Sequence, residues 1–303
     1  MLYLMLNLSL NACAPIIIYF GGRGINHDIL ILISAITAVF AFHGINAGKN
    51  KQAYLQVIKS TKIRSGIAKV ILTTTFMWVG GFIIPIMYTP FIFVFTYLGL
   101  PGLIGAIVLA INTQKPLYIL QACLIGLLFS VFYMQMFNTY PLLKAIIGVV
   151  VTMSTGVSLY LYLRYSHKLN HLGISSKQIL ALRYWLLLLL PLMIVLSRHE
   201  LGLITLSVGI KCVAIGMGSL VLPLYFGQLC IEKFGSEKYS LLMGFTPLLT
   251  FLFQYILIKA ELNQIVIALL LGLAIATPYL IHQILKLKTF KQKKVKLCVN
   301  LFT

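Results

Sequence analysis

Few residues of this 303-residue sequence could perform acid–base, nucleophilic or metal chemistry. The chain has 5 Asp and Glu residues against 24 Lys and Arg residues. The five acidic residues are Asp28, Glu200, Glu232, Glu237 and Glu261. No two of them form an acid–base pair of the kind that hydrolases and transferases use. The five cysteines are scattered, and the six histidines are not expected to form a metal pair. We therefore expect no catalytic residues, no metal site and no cofactor.

The composition indicates a helical membrane protein. Hydrophobic residues make up 60% of the chain and charged residues 10%, with a mean hydropathy of +0.99. A soluble domain carries roughly 25% charge, and one membrane crossing needs about 20 apolar residues. The net charge of +19 does not indicate nucleic-acid binding, because that function needs basic clusters on a solvated face. The expected partner is the lipid bilayer.

Ten apolar stretches are long enough to be membrane crossings. They lie near residues 2–20, 29–47, 67–88, 91–111, 117–136, 142–163, 183–197, 202–228, 239–258 and 263–285. The stretch at 183–197 is the shortest and would be completed by residues 179–182. The sequence thus predicts an all-α polytopic membrane protein with ten transmembrane helices.

The positions of the basic residues predict the orientation, because Lys and Arg accumulate in cytoplasmic loops. With the N-terminus inside, 19 of the 24 fall in inner segments and the tail, 4 fall in outer loops and 1 lies within a crossing. This uneven distribution predicts a protein of the cytoplasmic membrane with both termini inside.

An internal repeat is visible in the glycines and prolines. The segment GGFIIPI at 80–86 matches GSLVLPL at 218–224 with an offset of 138 residues, and Pro101 matches Pro247 with an offset of 146. Two repeats of five crossings each would be inverted relative to one another, because five is odd. The predicted domains are residues 1–140 and 141–285, each a five-helix repeat, and a basic cytoplasmic tail at 286–303.

Several features of the second half are similar to a known family. Predicted helix 8 is glycine-rich around Leu222 and Pro223, residues 244–247 open predicted helix 9, and ALRYW at 181–185 forms an arginine-aromatic opening of helix 7. In these features the sequence resembles the drug/metabolite transporter superfamily, and within it the EamA-like ten-helix permeases.

The resemblance implies a secondary transporter of small metabolites, commonly an exporter, powered by an ion gradient or by the gradient of the solute. It also implies a substrate cavity between the two halves. The expected partner is then a small-molecule substrate, and a homodimer is left open. The alternative is a membrane-embedded lipid-modifying transferase, which would need an acid, a base or metal ligands. We expect the non-enzymatic transporter.

Lys211 is the one charge that these crossings place inside the membrane. A charged side chain is costly there, so Lys211 is a candidate for the substrate cavity. Its alternative is a lysine that snorkels to the outer interface. The predicted cavity residues are Lys211, Trp78, Thr74, Tyr225, Gln254 and Phe251. For each of these the alternative is ordinary helix packing.

Four prolines within predicted crossings are hinge candidates, because a proline inside a helix removes a hydrogen bond and bends the helix. They are Pro85, Pro101, Pro223 and Pro247. The hypothesis is that these bends shape a gate.

Overall fold

The computed structural model describes residues 2–258, 266, 269–270 and 272–274. This part of the chain is about 89% helical and contains no strand. The helices are α1 Leu2–Gly21, α2 His27–Ile45, α3 Asn50–Lys59, α4 Thr61–Met87, α5 Pro90–Thr113, α6 Pro116–Thr139, α7 Leu142–His171, α8 Ser176–Leu182, α9 Trp185–Ser197, α10 Leu206–Ile215, α11 Leu222–Phe234, α12 Ser236–Met243 and α13 Thr246–Ile258. Most of the predicted tenth crossing, 263–285, and the whole tail, 286–303, lie outside the described residues.

Eight helical stretches are long and apolar enough to cross a membrane. Six are the single helices α1, α2, α4, α5, α6 and α7. The other two are composite: α8 with α9 spans Ser176–Ser197, and α10 with α11 spans Leu206–Phe234. All eight overlap the first eight predicted crossings, and the expected all-α class with membrane-crossing helices agrees with the structure.

The ninth predicted crossing, 239–258, is not one continuous helix. Helix α12 ends at Met243, residues 244–245 form a turn, and α13 starts at Thr246 with Pro247 in its first turn. The proline explains the break, because its ring would collide with the carbonyl of Met243 in a continuous helix. In the first turn of a new helix, proline is well tolerated.

Both composite crossings depart from a continuous α-helix. The helix from α8 to α9 is interrupted by a turn at Arg183 and Tyr184. Between α10 and α11, residues Gly216–Val221 form a π-helix that ends just before Pro223. The nitrogen of Pro223 cannot bond to the carbonyl of Ser219, and a π-segment is one way to accommodate that missing bond.

Helix α4 packs along α7, and α1 packs along α11. At the first contact a methyl group at Gly80 would collide with the Thr155 hydroxyl. Near the second contact, in the π-segment, a methyl group at Gly218 would lie 3.2 Å from Cδ1 of Ile17. Small residues at these positions let the helices approach closely, as is common in membrane bundles.

Helices α2 and α9 run antiparallel and are joined near both ends. At one end Nη1 of Arg198 lies 2.8 Å from Oδ2 of Asp28. At the other end Trp185 Nε1 donates to the Tyr54 hydroxyl at 2.9 Å, and that hydroxyl is 3.0 Å from His43 Nε2. Burial raises the pKa of Tyr54 in α3, and the bond from Trp185 lowers it by less. Tyr54 therefore stays protonated and can donate to His43.

Candidate functional site

Arg183 is fully buried at the break between α8 and α9. Its guanidinium carbon lies 4.6 Å from the centre of the Tyr162 ring and 4.7 Å from that of the Tyr184 ring. Nη2 of Arg183 donates to the hydroxyl of Tyr184. Arg183 is one of the 19 basic residues that the predicted topology assigns to inner segments, but the structure buries it inside the helix bundle.

Arg183 has no anionic partner among the side chains that the structure describes. The one ion pair in that set joins Arg198 to Asp28, and the Nε and Nη1 atoms of Arg183 have no hydrogen-bond partner. An unpaired buried charge costs several kcal/mol even after relaxation. Each aromatic ring returns about 2 kcal/mol when desolvated. The rings offset part of the cost and leave the N–H groups of Nε and Nη1 unused.

A small pocket lies between α1, α5, α7, α11 and α12. Tyr162, whose ring contacts Arg183, lines this pocket, whereas Arg183 itself does not. Its free volume is about 10 Å³, close to what one water molecule needs. It is lined by Asn11, Tyr97, Leu159, Tyr162, Leu163, Pro223, Leu224, Gly227, Gln228, Ile231, Tyr239 and Met243. Helices from the first and the second predicted repeat both contribute to this lining.

Hydrogen bonds from Asn7 connect three of the helices around the pocket. The Asn7 side chain donates to the carbonyl of Pro223 at 2.6 Å and accepts from the Tyr239 hydroxyl at 2.6 Å. Asn11, one turn later in α1, donates to the Asn7 carbonyl at 2.9 Å. The amide of Asn7 thus holds α1, α11 and α12 together.

Tyr162 connects Arg183 to Gln228. The ring of Tyr162 faces the guanidinium, while its hydroxyl donates to Oε1 of Gln228. The carbonyl of Gln228 accepts from the Ser176 hydroxyl at 3.2 Å, but Nε2 of Gln228 is buried without a partner. The unused groups at Gln228 and Arg183 are therefore hydrogen-bond donors.

Trp78, one of the predicted cavity residues, contacts a residue that lines this pocket, and Thr74 lies one turn before it in α4. Trp78 is buried, with its ring centre 6.4 Å from that of Tyr97, which lines the pocket. Thr74 is fully buried one turn earlier in α4. The indole nitrogen of Trp78 and the hydroxyl of Thr74 both lack a hydrogen-bond partner. Both side chains face inward, and their role in a cavity stays a prediction.

Phe251 and Gln254 are buried on a different face of α5. The Phe251 ring lies 6.0 Å from that of Phe91, which also contacts Phe132 of α6 at 6.0 Å. On the opposite side of α5, Tyr97 stacks on Phe93 at 4.6 Å and contacts Trp78. The structure therefore divides the predicted aromatic wall into two clusters separated by α5.

Lys211 and Tyr225 do not line the pocket. Lys211 is exposed on α10. Its place in a substrate cavity and its snorkelling alternative both stay predictions. Tyr225 is half-buried and its ring contacts Phe226 at 5.5 Å. Arg183, not Lys211, is the buried cation in the described part of the second half.

The four hinge candidates occupy different environments. Pro85 and Pro101 lie inside α4 and α5. Pro223 follows the π-segment and lines the pocket. Pro247 lies in the first turn of α13, where it removes no bond within a helix, which agrees with residues 244–247 opening this helix. The role of the four prolines in a gate stays a prediction.

The polar side chains in and around the pocket were not among the predicted cavity residues. They are Asn7, Asn11, Tyr97, Tyr162, Arg183, Gln228 and Tyr239. A usable signal was present, because polar side chains within apolar helices must face the protein interior. Asn7 and Asn11 are four residues apart on α1 and therefore share a face.

Two histidines lie close together near the end of α7. His167 and His171 are one turn apart on this helix, with their Nε2 atoms 3.1 Å apart. Within the described residues no group of three or more His, Cys, Asp or Glu side chains could hold a metal ion.

No family model and no curated protein matches the chain.

Proposed function

We propose that the protein is a secondary transporter that exports small metabolites or drug-like solutes by alternating access. The energy source is an ion gradient or the gradient of the solute. The observation that carries the proposal is the fully buried Arg183, which packs against Tyr162 of the wall of a small pocket, in a chain that is otherwise strongly apolar. Ionisable residues within membrane helices commonly mark a substrate pathway.

The packing supports two inverted repeats of five crossings each. Gly80 of α4 meets Thr155 of α7, and Gly218 of the π-segment meets Ile17 of α1. The glycines differ by 138 residues, and so do Thr155 and Ile17. Exchanging the two halves with that offset therefore converts one contact into the other. Inverted repeats commonly place the substrate site at their interface.

The interrupted helices also support a transporter. The turn at Arg183, the π-segment Gly216–Val221 and the turn at 244–245 lie in crossings of the second half. Transporter sites are typically built at such discontinuous helices, and irregular backbone is tolerated there because it lines a cavity. Within this proposal the protein is an EamA-like permease of the cytoplasmic membrane with ten crossings and both termini inside.

A proteoliposome assay tests the proposal. Purified protein is reconstituted, and uptake of amino acids, nucleosides and hydrophobic cations is measured with and without a proton gradient. We expect saturable uptake of at least one class that empty liposomes lack. A protein that moves no solute under either condition, but chemically modifies the lipids of the vesicle, would be the alternative transferase.

A further inference from the structure

Gln228 lines the pocket, and Arg183 packs against Tyr162 of the pocket wall. The unused hydrogen-bond donors of these two residues indicate which chemical group they bind. Arg183 keeps Nε and Nη1 without acceptors, and Gln228 keeps Nε2 without one. The Gln228 oxygen already accepts from Tyr162, so the side chain offers only its N–H groups. A group that accepts hydrogen bonds and carries negative charge is complementary to both residues.

Arg183 is also held in place for such a group. The rings of Tyr162 and Tyr184 face its guanidinium, and the Tyr184 hydroxyl accepts one of its N–H groups. All three side chains are almost fully buried. A guanidinium fixed in this way is pre-organised to bind a planar or tetrahedral oxyanion.

Resting on the proposed function, we propose that the transported solute is anionic and that its carboxylate or phosphate binds Arg183 and Gln228. The pocket holds about one water in this conformation, so solute binding requires it to widen. Helix α12, which carries Tyr239, begins after Gly235 and ends at the turn 244–245, so both of its ends are breaks in the helix. Movement of α12 would open the pocket between Tyr239 and Tyr162.

The first test is binding by the purified full chain in detergent. Its thermal unfolding midpoint is measured with benzoate, inorganic phosphate, benzamide and choline at constant ionic strength. Benzoate or phosphate should raise the midpoint in a saturable manner, whereas neutral benzamide and cationic choline should not. If benzoate acts and phosphate does not, the bound group is a carboxylate, and the reverse result indicates a phosphate. No anion effect, or an equal effect of benzamide or choline, would overturn the proposal.

Two arginine variants locate the effect. Arg183→Gln should weaken anion binding at least about tenfold, because a buried charged partner is removed. The matched control is Arg198→Gln, which removes an exposed arginine from the ion pair with Asp28 and should bind like the wild type. An Arg183→Gln protein with unchanged affinity would contradict the site. If this variant does not fold, Arg183→Lys tests the same point, since it keeps the charge but loses the planar donor fork.

Gln228→Glu distinguishes an anion site from a merely structural arginine. A carboxylate at this position would supply the missing anion, so the variant should unfold at a higher temperature than the wild type without ligand. It should also lose the response to benzoate and phosphate. A variant that is less stable and still responds to anions would overturn the proposal.

The anion site and the proposed transport function can be rejected independently. Anion binding without uptake of any solute would remove the proposed transport but leave the anion site. Uptake restricted to cations or neutral solutes, with no anion effect on unfolding, would remove the anion site and leave the transporter.

Discussion

The guanidinium carbon of Arg183 lies 4.6 Å from the centre of the Tyr162 ring, and both side chains are buried. This contact joins α7 to the break between α8 and α9. It places a positive charge against a side chain that lines the pocket, and this charge has no carboxylate partner among the described side chains.

The two parts of Tyr162 should have separable effects on stability. Tyr162→Phe keeps the ring over Arg183 but loses the bond to Gln228, at a cost of about 1 kcal/mol. Tyr162→Leu also loses the ring and should cost a further ~2 kcal/mol. Denaturation of the purified protein measures both, with Tyr118→Phe in the half-buried part of α6 as the control. Equal stability of the Phe and Leu variants would contradict the ring contact.

Gly227 should tolerate no larger residue, because a Cβ there would lie 2.8 Å from the Tyr239 hydroxyl and 3.1 Å from Nδ2 of Asn7. Gly227→Ala should break the hydrogen bond from the Tyr239 hydroxyl to Oδ1 of Asn7. The matched control is Gly209→Ala in α10, where a Cβ meets nothing within 4 Å. Gly227→Ala should be the less stable of the two by about 1 to 3 kcal/mol in chemical denaturation. Similar unfolding free energies for the two variants would show that Asn7 and Tyr239 can shift to accommodate the added methyl group.

The ion pair between Arg198 and Asp28 should contribute little to stability. The Arg198 side chain is 61% exposed, and exposed pairs contribute about 0.2 to 1 kcal/mol. A double-mutant cycle with Arg198→Gln and Asp28→Asn should give a coupling energy in that range, which falls in high salt because the charges are screened. A larger coupling that resists salt would mean that the pair is less accessible to solvent than its exposure indicates.

The prolines should differ in their effect on transport. Pro85→Ala and Pro101→Ala would restore backbone bonds inside α4 and α5, so they should slow uptake if those bends move during transport. Pro247→Ala should have the smallest effect, because a proline in the first turn removes no helix bond. Initial uptake rates in proteoliposomes measure the order. If each variant transports like the wild type, the hinge hypothesis is wrong.

Lys211→Ala should leave uptake and solute affinity unchanged, because Lys211 is exposed on α10, whereas Arg183 is buried against Tyr162 of the pocket wall. The same transport assay with Arg183→Lys as the sensitive comparison decides which cation contacts the solute. A marked loss of affinity in Lys211→Ala would return Lys211 to the substrate cavity.

Hydropathy by itself located the crossings. The runs that became α1, α2 and α4 to α11 follow from length and apolar composition, which are local properties of the chain. The matched glycines Gly80 and Gly218 were also visible in the sequence, although only the packing shows that they face equivalent neighbours. Pro247 is ambiguous in the sequence, because a proline bends a helix in its interior and opens one in its first turn, and the structure places it in the first turn of α13.

Only the tertiary structure decided which polar residues meet. Lys211 lies in α10, which begins at Leu206, and the direction of its side chain depends on how α10 packs. Arg183 precedes an apolar run and therefore resembles a loop cation. Its burial depends on the rings of Tyr162 and Tyr184, and Tyr162 lies 21 residues earlier on another helix. A pocket built from five helices is a property of their arrangement, which no local pattern contains.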